Sequence, residues 1–301
     1  MGAKPTHPKL LDYLATWFVD NGWSIKKLHK FIMLSKAYQM SNKSKDISKL
    51  KTIDPNNELL AYYPARRLQA EMIYDSLLQK SGELSKTTGG PGVFPEINWE
   101  VALQNRLIMG TLAPVYQPSP KKIDRHRRQI YAFVRRGISN PFLEVFNKPG
   151  SELSCAKRDE TTVTPQAFSL FNSEFIHNRA LALANSIASK SKQPEDQIKT
   201  AFKIMYGRGP TSEEVRLAKD HLAVMVRHHQ SHKLNEQPLP KHFDAEFIAE
   251  KTGRPVTWRQ YLNNLNNYER DLMPWQVSPE VRGLYELCLV LINSNEFLYV
   301  Y

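Results

Sequence analysis

Apolar residues recur at helical spacing through most of this chain, separated by stretches with no period. Leu11, Leu14, Ala15 and Phe18 fall three and four apart, the signature of an amphipathic helix. Thr6 reads as its N-cap, followed by His7 and Pro8; proline fits a first helical turn because its missing N–H has no intrahelical partner there. Gly22 is expected to stop the helix and Ser24 to cap the next, whose stripe is Ile25, Leu28, Phe31, Ile32 and Met33. The pattern predicts a short-looped helical hairpin over 6–40.

Residues 41–57 are rich in Ser, Asn, Lys and Asp and read as a loop. A helix is expected from about Ala65 to Lys80, with Leu68, Met72, Ile73 and Leu77 inward and Gly82 as its stop. The stretch 85–120 has no clear period. It holds T-T-G-G-P-G-V-F-P (Thr87 to Pro95), which lacks the G-K-[ST] and the strand-to-helix setting of a phosphate-binding loop and reads as a turn. The β-branched and aromatic content of Ile130 to Val134 predicts one or two short strands near 127–136.

Farther on, Thr164-Pro165-Gln166 opens a long helix to about Lys190, and Pro194 opens another to about Tyr206. Thr211-Ser212-Glu213-Glu214 is a T-x-x-E capping box for a helix to about His232, and Ser278-Pro279-Glu280 caps the last one. The polar stretch 233–273 reads as a mobile insertion. The expected fold class is mainly α, an irregular multi-helix domain with minor β. Its parts are the hairpin, a middle region 58–150 and a C-terminal helical part 160–301.

Composition narrows the function classes. The net charge is +11 and no run of apolar residues reaches the roughly 20 needed to span a membrane. The first eight residues, M-G-A-K-P-T-H-P, contain no apolar export-signal core. A basic balance favours anionic partners, and the densest basic cluster, Lys121 to Arg136, is interleaved with Tyr131 and Phe133. Arg127, Arg128, Arg135 and Arg136 are therefore candidate anion contacts, toward anionic polysaccharide before nucleic acid, since no nucleic-acid reader motif is present. The two cysteines, Cys155 and Cys288, form no C-x-x-C. That excludes a zinc ribbon, a thioredoxin-type pair and a C-x-x-C-H haem attachment within the chain, so no cofactor is expected.

The chemically densest block is Ser154 to Phe175. Cys155 and Arg158 lie three apart, and a nearby guanidinium favours thiolate. With Glu71 and Gln166 they form the candidate catalytic set, although spacing identifies no base for a nucleophile. The plainer reading is a packed thiol beside an arginine bonded to Asp159 or Glu160. Arg66, Arg67, Asn172 and Asn295 are further candidate binding residues; Arg67 and Glu71 are four apart, and Gln166 also suits a helix N-terminus. For metal the candidates are His221, His228 and His232, the last two four apart and so on one helix face. No H-E-x-x-H accompanies them, and a solvated polar face is the favoured reading.

The block S-C-A-K-R-D-E-T-T-V-T-P-Q-A-F-S-L-F-N-S-E-F resembles the signature of the planctomycete-type PSD1 domain, a family of unknown function numbered 1553. T-H-P-K-L-L-D-Y-L-A, N-G-W-S-I-K-K-L-H-K, R-R-L-Q-A-E, G-G-P-G, I-Y-A-F-V-R-R, G-R-G-P-T-S-E-E-V and N-S-N-E-F-L-Y-V resemble family segments in the same order. Lys9 stands where the family tends to have Glu. The resemblance implies a single domain over 1–301 that elsewhere follows a companion domain and often a cytochrome-c-type domain in large exported proteins, so this chain lacks those partners and belongs to an exported or periplasmic setting. On that footing the leading expectation is a non-catalytic accessory or interaction module that binds a partner domain or a polyanionic glycan. The alternatives are an enzyme acting on carbohydrate around Cys155 and Arg158, and a basic nucleic-acid-binding protein.

Overall fold

In the computed structural model the described residues are 4–42, 46–103, 107, 108, 111, 112, 114–135, 137–151, 154, 155, 158 and 161–300. The fold is mainly α, with thirteen helices and three two-stranded antiparallel ladders among those residues. The chain divides into two units, residues 1–67 with 299–301, and residues 68–298.

In the first unit, α1 (Pro8–Asp20) and α2 (Ile25–Met33) form the expected hairpin. Pro8 sits in the first turn, and the N-cap is His7 rather than Thr6, whose hydroxyl lies 3.0 Å from His7 Nδ1. Gly22 takes φ +75°, a left-handed turn that glycine enters without steric cost. The Ser24 hydroxyl accepts from Lys27 N–H at 3.4 Å. Trp17 stacks on Phe31 at 4.7 Å between ring centres. Inside the stretch read as a loop is a short helix, α3 (Ile47–Ile53). A two-residue strand, β1 (Arg66–Arg67), pairs antiparallel with Tyr299–Val300.

The second unit begins with α4 (Ala70–Ser81), which Gly82 ends at φ +80° as expected. Ile73 and Leu77 are buried, whereas Met72 is exposed. Then come α5 (Trp99–Ala102), β2 (Leu107–Ile108), β3 (Thr111–Leu112), α6 (Lys122–Arg125) and α7 (Pro141–Val145). Around 127–136 the expected β structure is reduced to single bridges at Ala132, with Val93, and at Arg135, with Ile138, both following a 3-10 turn, Gln129–Tyr131. The side chains of Arg125, Arg127 and Gln129 are all buried here, and such inward polar groups do not suit an alternating strand.

The long helix expected over 165–190 is two, α8 (Thr164–Asn172) and α9 (Glu174–Lys190). Ser173 breaks it with extended backbone, φ −71° and ψ 125°. His177 secures the break by placing Nε2 2.7 Å from the Phe171 carbonyl and Nδ1 against the Tyr285 hydroxyl. α10 (Pro194–Tyr206) stops at Gly207, φ +76°. α11 (Ser212–Ser231) starts on the predicted capping box: Thr211 Oγ1 accepts from Glu214 N–H at 3.2 Å, and Glu214 accepts from Thr211 N–H at 2.7 Å. The stretch read as a mobile insertion contains a β-hairpin, β4 (His242–Ile248) and β5 (Pro255–Tyr261), turned at Gly253 and pinned by an Arg259–Asp244 fork at 2.7 and 2.8 Å. The period-2 run F-D-A-E-F-I, with Ala245 fully buried, is its signal in the sequence. The helices α12 (Pro279–Ile292), capped by Ser278, and α13 (Asn295–Leu298) complete the unit.

The core lies between α9 and α12. Ile176, Ala180, Leu181, Leu183, Ala184 and Ile187 face Leu284, Leu287, Cys288, Leu291 and Ile292, all buried. Burial pushes the Cys288 thiol up to about 12, so Cys288 behaves as a small hydrophobe. No described helix is long and apolar enough to cross a membrane.

α11 packs on α12 at Gly283, where a Cβ would come within 2.6 Å of Val226 Cγ2 and 3.2 Å of its backbone nitrogen. Val226 is β-branched and stiff, so it cannot swing away. Gly283→Ala is expected to cost about 1–3 kcal/mol through overpacking; urea unfolding of the variant at wild-type stability would refute that packing.

Candidate functional site

The most polar part of the second unit's interior is centred on Arg179. It lies in α9 within I-H-N-R-A-L-A-L-A, and its side chain is 1% exposed. A buried guanidinium must be both paired and hydrogen-bonded, and Arg179 is. One terminal nitrogen donates to Glu83, just past the end of α4; the other donates to Asp271, in the segment before α12. Lys122 Nζ lies 2.5 Å from Glu83 Oε1 and 3.9 Å from Asp271 Oδ1. His126, which ends α6, places Nε2 3.1 Å from Asp271 Oδ1 and 3.0 Å from the Arg179 guanidinium. Arg125 NH2 is 3.7 Å from Asp271 Oδ1, and Arg125 stacks on the Tyr268 ring at 3.9 Å.

These contacts set the protonation states. Burial alone would raise the Asp271 carboxyl, but the hydrogen bond with His126 and the charges of Arg179 and Lys122 hold it well below the usual carboxylate range. Burial lowers the His126 imidazole and the Asp271 contact only partly opposes this, so His126 is neutral near pH 7. Glu96 is carried beside the cluster by the loop before α5, and burial, then the Asp271 charge, raises it to about 7. Glu96, His126, Asp271, Tyr74 and Asn178 line a cavity of about 30 Å³, room for one or two water molecules and too little for an organic substrate.

Among the described residues Glu83, His126 and Asp271 form a metal-capable trio, with ligand atoms within 4.8 Å of one another. Two carboxylates and an imidazole suit a divalent cation. However, the guanidinium of Arg179 already bridges both carboxylates, so the cation that balances this cluster is Arg179. The trio reads as an ion-pair hub that ties α4, α6, α9 and the segment before α12 together.

The residues singled out from sequence fall elsewhere. Glu71, in the first turn of α4, receives both terminal nitrogens of Arg158 at 2.6 and 3.2 Å. Burial opposes it, but the Arg158 hydrogen bond holds the Glu71 carboxyl below its ordinary value. Cys155 is exposed and close enough for its charge to act on Arg158. Gln166 does not join them: it is buried, and its amide donates to the carbonyls of Val145 and Thr161 at 2.9 and 3.0 Å and to Asn147 Oδ1 at 3.2 Å. Three of the four candidates thus converge, and Gln166 is a loop clamp. Its partners lie 5 to 21 residues away.

The basic strip is not continuous. Arg127 is turned inward, donates to the carbonyls of Gly89 and Pro91, and stacks on Tyr131 at 4.1 Å. Arg128 faces solvent and bonds Asp75 Oδ2 at 3.3 Å; Arg135 donates to the Pro114 carbonyl at 3.2 Å. Arg136, like Asp159 and Glu160, lies outside the described residues. Arg66 and Arg67 are in β1 of the first unit. Asn172 and Asn295 are exposed at the end of α8 and the start of α13. Beside Asn295, Glu296 takes the Arg208 fork at 2.7 Å, and Arg208 also holds Glu214. His228 and His232 stack at 4.2 Å, and His232 Nδ1 is 2.8 Å from the His228 carbonyl. Neither they nor His221 belong to a metal-capable trio among the described residues.

The hub was missed in the sequence because its members are far apart in the chain. Its available signals were Arg179 on an otherwise apolar helix face, and His126 inside the basic cluster whose arginines are the candidate anion contacts.

Fold and interior together define a mainly α-helical domain held by a buried guanidinium hub. The model of the family described as PSD1, protein of unknown function (DUF1553), matches residues 1–222. The chain belongs to that family. No curated protein and no solved structure matches it.

Two predictions follow from the hub. Arg179→Ala leaves Glu83 and Asp271 buried without their counter-ion and is expected to cost roughly 3–5 kcal/mol; a loss under about 1 kcal/mol in denaturant unfolding would contradict the buried pairing. For Glu96 the folded value, about 7, exceeds its ordinary 4.5. Its contribution to stability is therefore complete below pH 4.5 and is lost as pH rises through 7. The depressed His126 works in the opposite direction, so the comparison is between wild type and Glu96→Gln. From pH 5 to pH 8 the wild type should lose on the order of 1–3 kcal/mol relative to the variant; parallel stability curves would show that Glu96 is ionised in the fold.

Proposed function

We propose that this chain is a non-catalytic interaction module whose first unit docks on a polypeptide partner, the companion domain that the family resemblance implies. The observation that carries this reading is the uncovered hairpin. Neither α1 nor α2 has a buried residue. Leu10, Leu11, Tyr13, Trp23, Ile25 and Leu34 are all exposed. Helices of 13 and 9 residues are too short to hold in water by propensity alone and need an apolar face buried against something. The same hairpin carries Lys9, Lys26, Lys27, Lys30 and Lys36 against Asp12 and Asp20, which fits a partner surface of apolar residues rimmed by acidic ones.

The other readings have less support. An enzyme centred on Cys155 needs an Arg158 available to a thiolate, and both terminal nitrogens of Arg158 are committed to Glu71. A glycan- or nucleic-acid-binding strip needs Arg127 at the surface, and Arg127 is buried.

The test is calorimetric titration of the full chain with the companion domain, made as a separate polypeptide. Saturable binding that weakens about tenfold or more in Leu11→Asp/Leu34→Asp is expected, since tenfold is about 1.4 kcal/mol, within the range lost on removing apolar anchors. Equal binding by both proteins, or adsorption of the wild type to anionic phospholipid vesicles with none to the domain, would overturn the reading.

A further inference from the structure

The β4–β5 hairpin of the second unit leaves one strand edge open. The ladder is closed at its two ends by bonds from Ala249 N–H to the Arg254 carbonyl at 2.9 Å and from Leu262 N–H to the Lys241 carbonyl at 3.2 Å. Bonded and non-bonded positions alternate along an antiparallel pair. Both ends therefore agree that Val256, Trp258 and Gln260 bond inward, opposite Phe247, Ala245 and Phe243. Thr257, Arg259 and Tyr261 then turn their N–H and C=O groups away from β4, as Pro255 turns its carbonyl. All four residues are exposed, and among the described residues no hydrogen bond reaches those outward groups.

This edge lacks the devices by which sheet proteins avoid pairing. β5 contains no lysine, and its one proline, Pro255, is its first residue. Its one charge, Arg259, is held by the Asp244 fork. Side chains alternate across the pleat: Val256 and Trp258, 39% and 43% exposed, share one face, and Tyr261, 65% exposed, lies on the other with Thr257. The hairpin is held at its base, where Leu262 is buried and Gln260 Oε1 accepts from Val115 N–H at 3.1 Å. A two-stranded ribbon is marginal in water and gains from further strands.

The sequence of β5 selects the occupant. Laid antiparallel against a second copy of itself about a two-fold axis at Trp258, β5 sets Thr257 opposite the partner's Arg259, Val256 opposite the partner's Gln260 and Pro255 opposite the partner's Tyr261. Every outward N–H then meets a carbonyl: Thr257 and the partner's Arg259 exchange two bonds, and Tyr261 donates to the partner's Pro255. Trp258 faces the partner's Trp258 at a non-bonded position, where side chains approach most closely and aromatic pairs stabilise. An axis at Arg259 would set two guanidiniums directly opposite each other, which is unfavourable, and an axis at Thr257 would leave Tyr261 beyond the overlap. The antiparallel arrangement also carries the two anchored bases, at Leu262, to opposite ends of the sheet. We propose that the chain pairs with a second copy of itself through β5, the two hairpins forming one four-stranded antiparallel sheet closed by a two-fold axis.

The test is sedimentation velocity of the full chain between roughly 1 μM and 1 mM, with amide hydrogen exchange measured at both ends of that range. A reversible monomer–dimer equilibrium is expected. Protection of the Thr257, Arg259 and Tyr261 amides should rise with concentration, while that of Asp244, on the outer edge of β4, stays constant. Thr257→Pro removes an outward N–H and no ladder bond; it should weaken dimerisation at least about tenfold with the Val256 amide, a ladder donor, still protected. Trp258→Lys keeps every backbone bond and sets two like charges across the axis, and the same weakening is expected. If Thr257→Pro loses the Val256 protection, Trp258→Lys decides alone. The inference fails if the chain stays monomeric throughout, if a variant with an intact ladder dimerises as the wild type does, or if the added protection falls on α1 and α2 instead of β5.

Discussion

The arrangement of the second unit depends on one buried charge. Arg179 sits on the face of α9 that also supplies Ile176, Ala180 and Leu183 to the core, with its side chain almost wholly out of water. The desolvation penalty of a guanidinium there is several kcal/mol unless carboxylates reach it. Glu83 and Asp271 can reach it only if the turn after α4 and the segment before α12 both come to the same point on α9. His126 and Lys122 then bring α6 to that point through their contacts with the same two carboxylates. The hub thus converts one substitution-intolerant side chain into a constraint on four segments separated by up to 188 residues in sequence, from 83 to 271.

The same device recurs on a smaller scale through the aperiodic middle region. Arg125 donates to the carbonyls of Ser119, Pro120 and Glu269, and Arg127 to those of Gly89 and Pro91. A planar fork of donors suits this use, because it satisfies several carbonyls that a loop would otherwise bury bare. There the buried arginines tie the loops around a small apolar core of Ile97, Ala102, Tyr116 and Ile138. The formal charge of +11 accordingly overstates how basic the exterior is: Arg125, Arg127, Arg179 and Arg282 are all buried. Within the charge cluster that composition alone directs toward anionic partners, Arg125 and Arg127 are internal scaffolding, while Lys121 and Arg128 stay exposed.

What could be read from the chain follows from the range of each interaction. Local chemistry was legible: Ser24, Thr211 and Ser278 cap helices where expected, and Gly82 and Gly207 stop them in left-handed backbone. The mainly α class followed from those elements. Interactions fixed only by the assembled fold were not legible. The break at Ser173 depends on His177 finding Tyr285, 108 residues away, and Gln166 could not be told from a ligand-binding amide until Val145 and Thr161 were seen to take its protons. The hairpin 242–261 was lost for a different reason: its alternation is carried by short strands in a polar stretch, and the cross-strand Asp244–Arg259 pair looks like ordinary surface charge until the register is known.

The two units differ in where their stability comes from. Residues 68–298 contain an apolar core between α9 and α12 and the Arg179 hub, so the free energy that orders them is internal. The first unit has aromatic contacts such as Trp17 on Phe31, turn hydrogen bonds and a two-residue ladder, while its hairpin helices have no fully buried residue and only half-bury Leu14, Trp17, Phe18, Leu28 and Ile32. Contacts of that kind do not offset the conformational entropy of ordering some sixty residues at about 1–2 kcal/mol each. On the proposed reading a partner surface covers the hairpin, and a partner that binds only the folded hairpin stabilises it by an amount that grows with the logarithm of its concentration above Kd. Under the proposed docking, hairpin order and partner occupancy are one linked equilibrium, in which the second unit, with its own core and hub, takes no part.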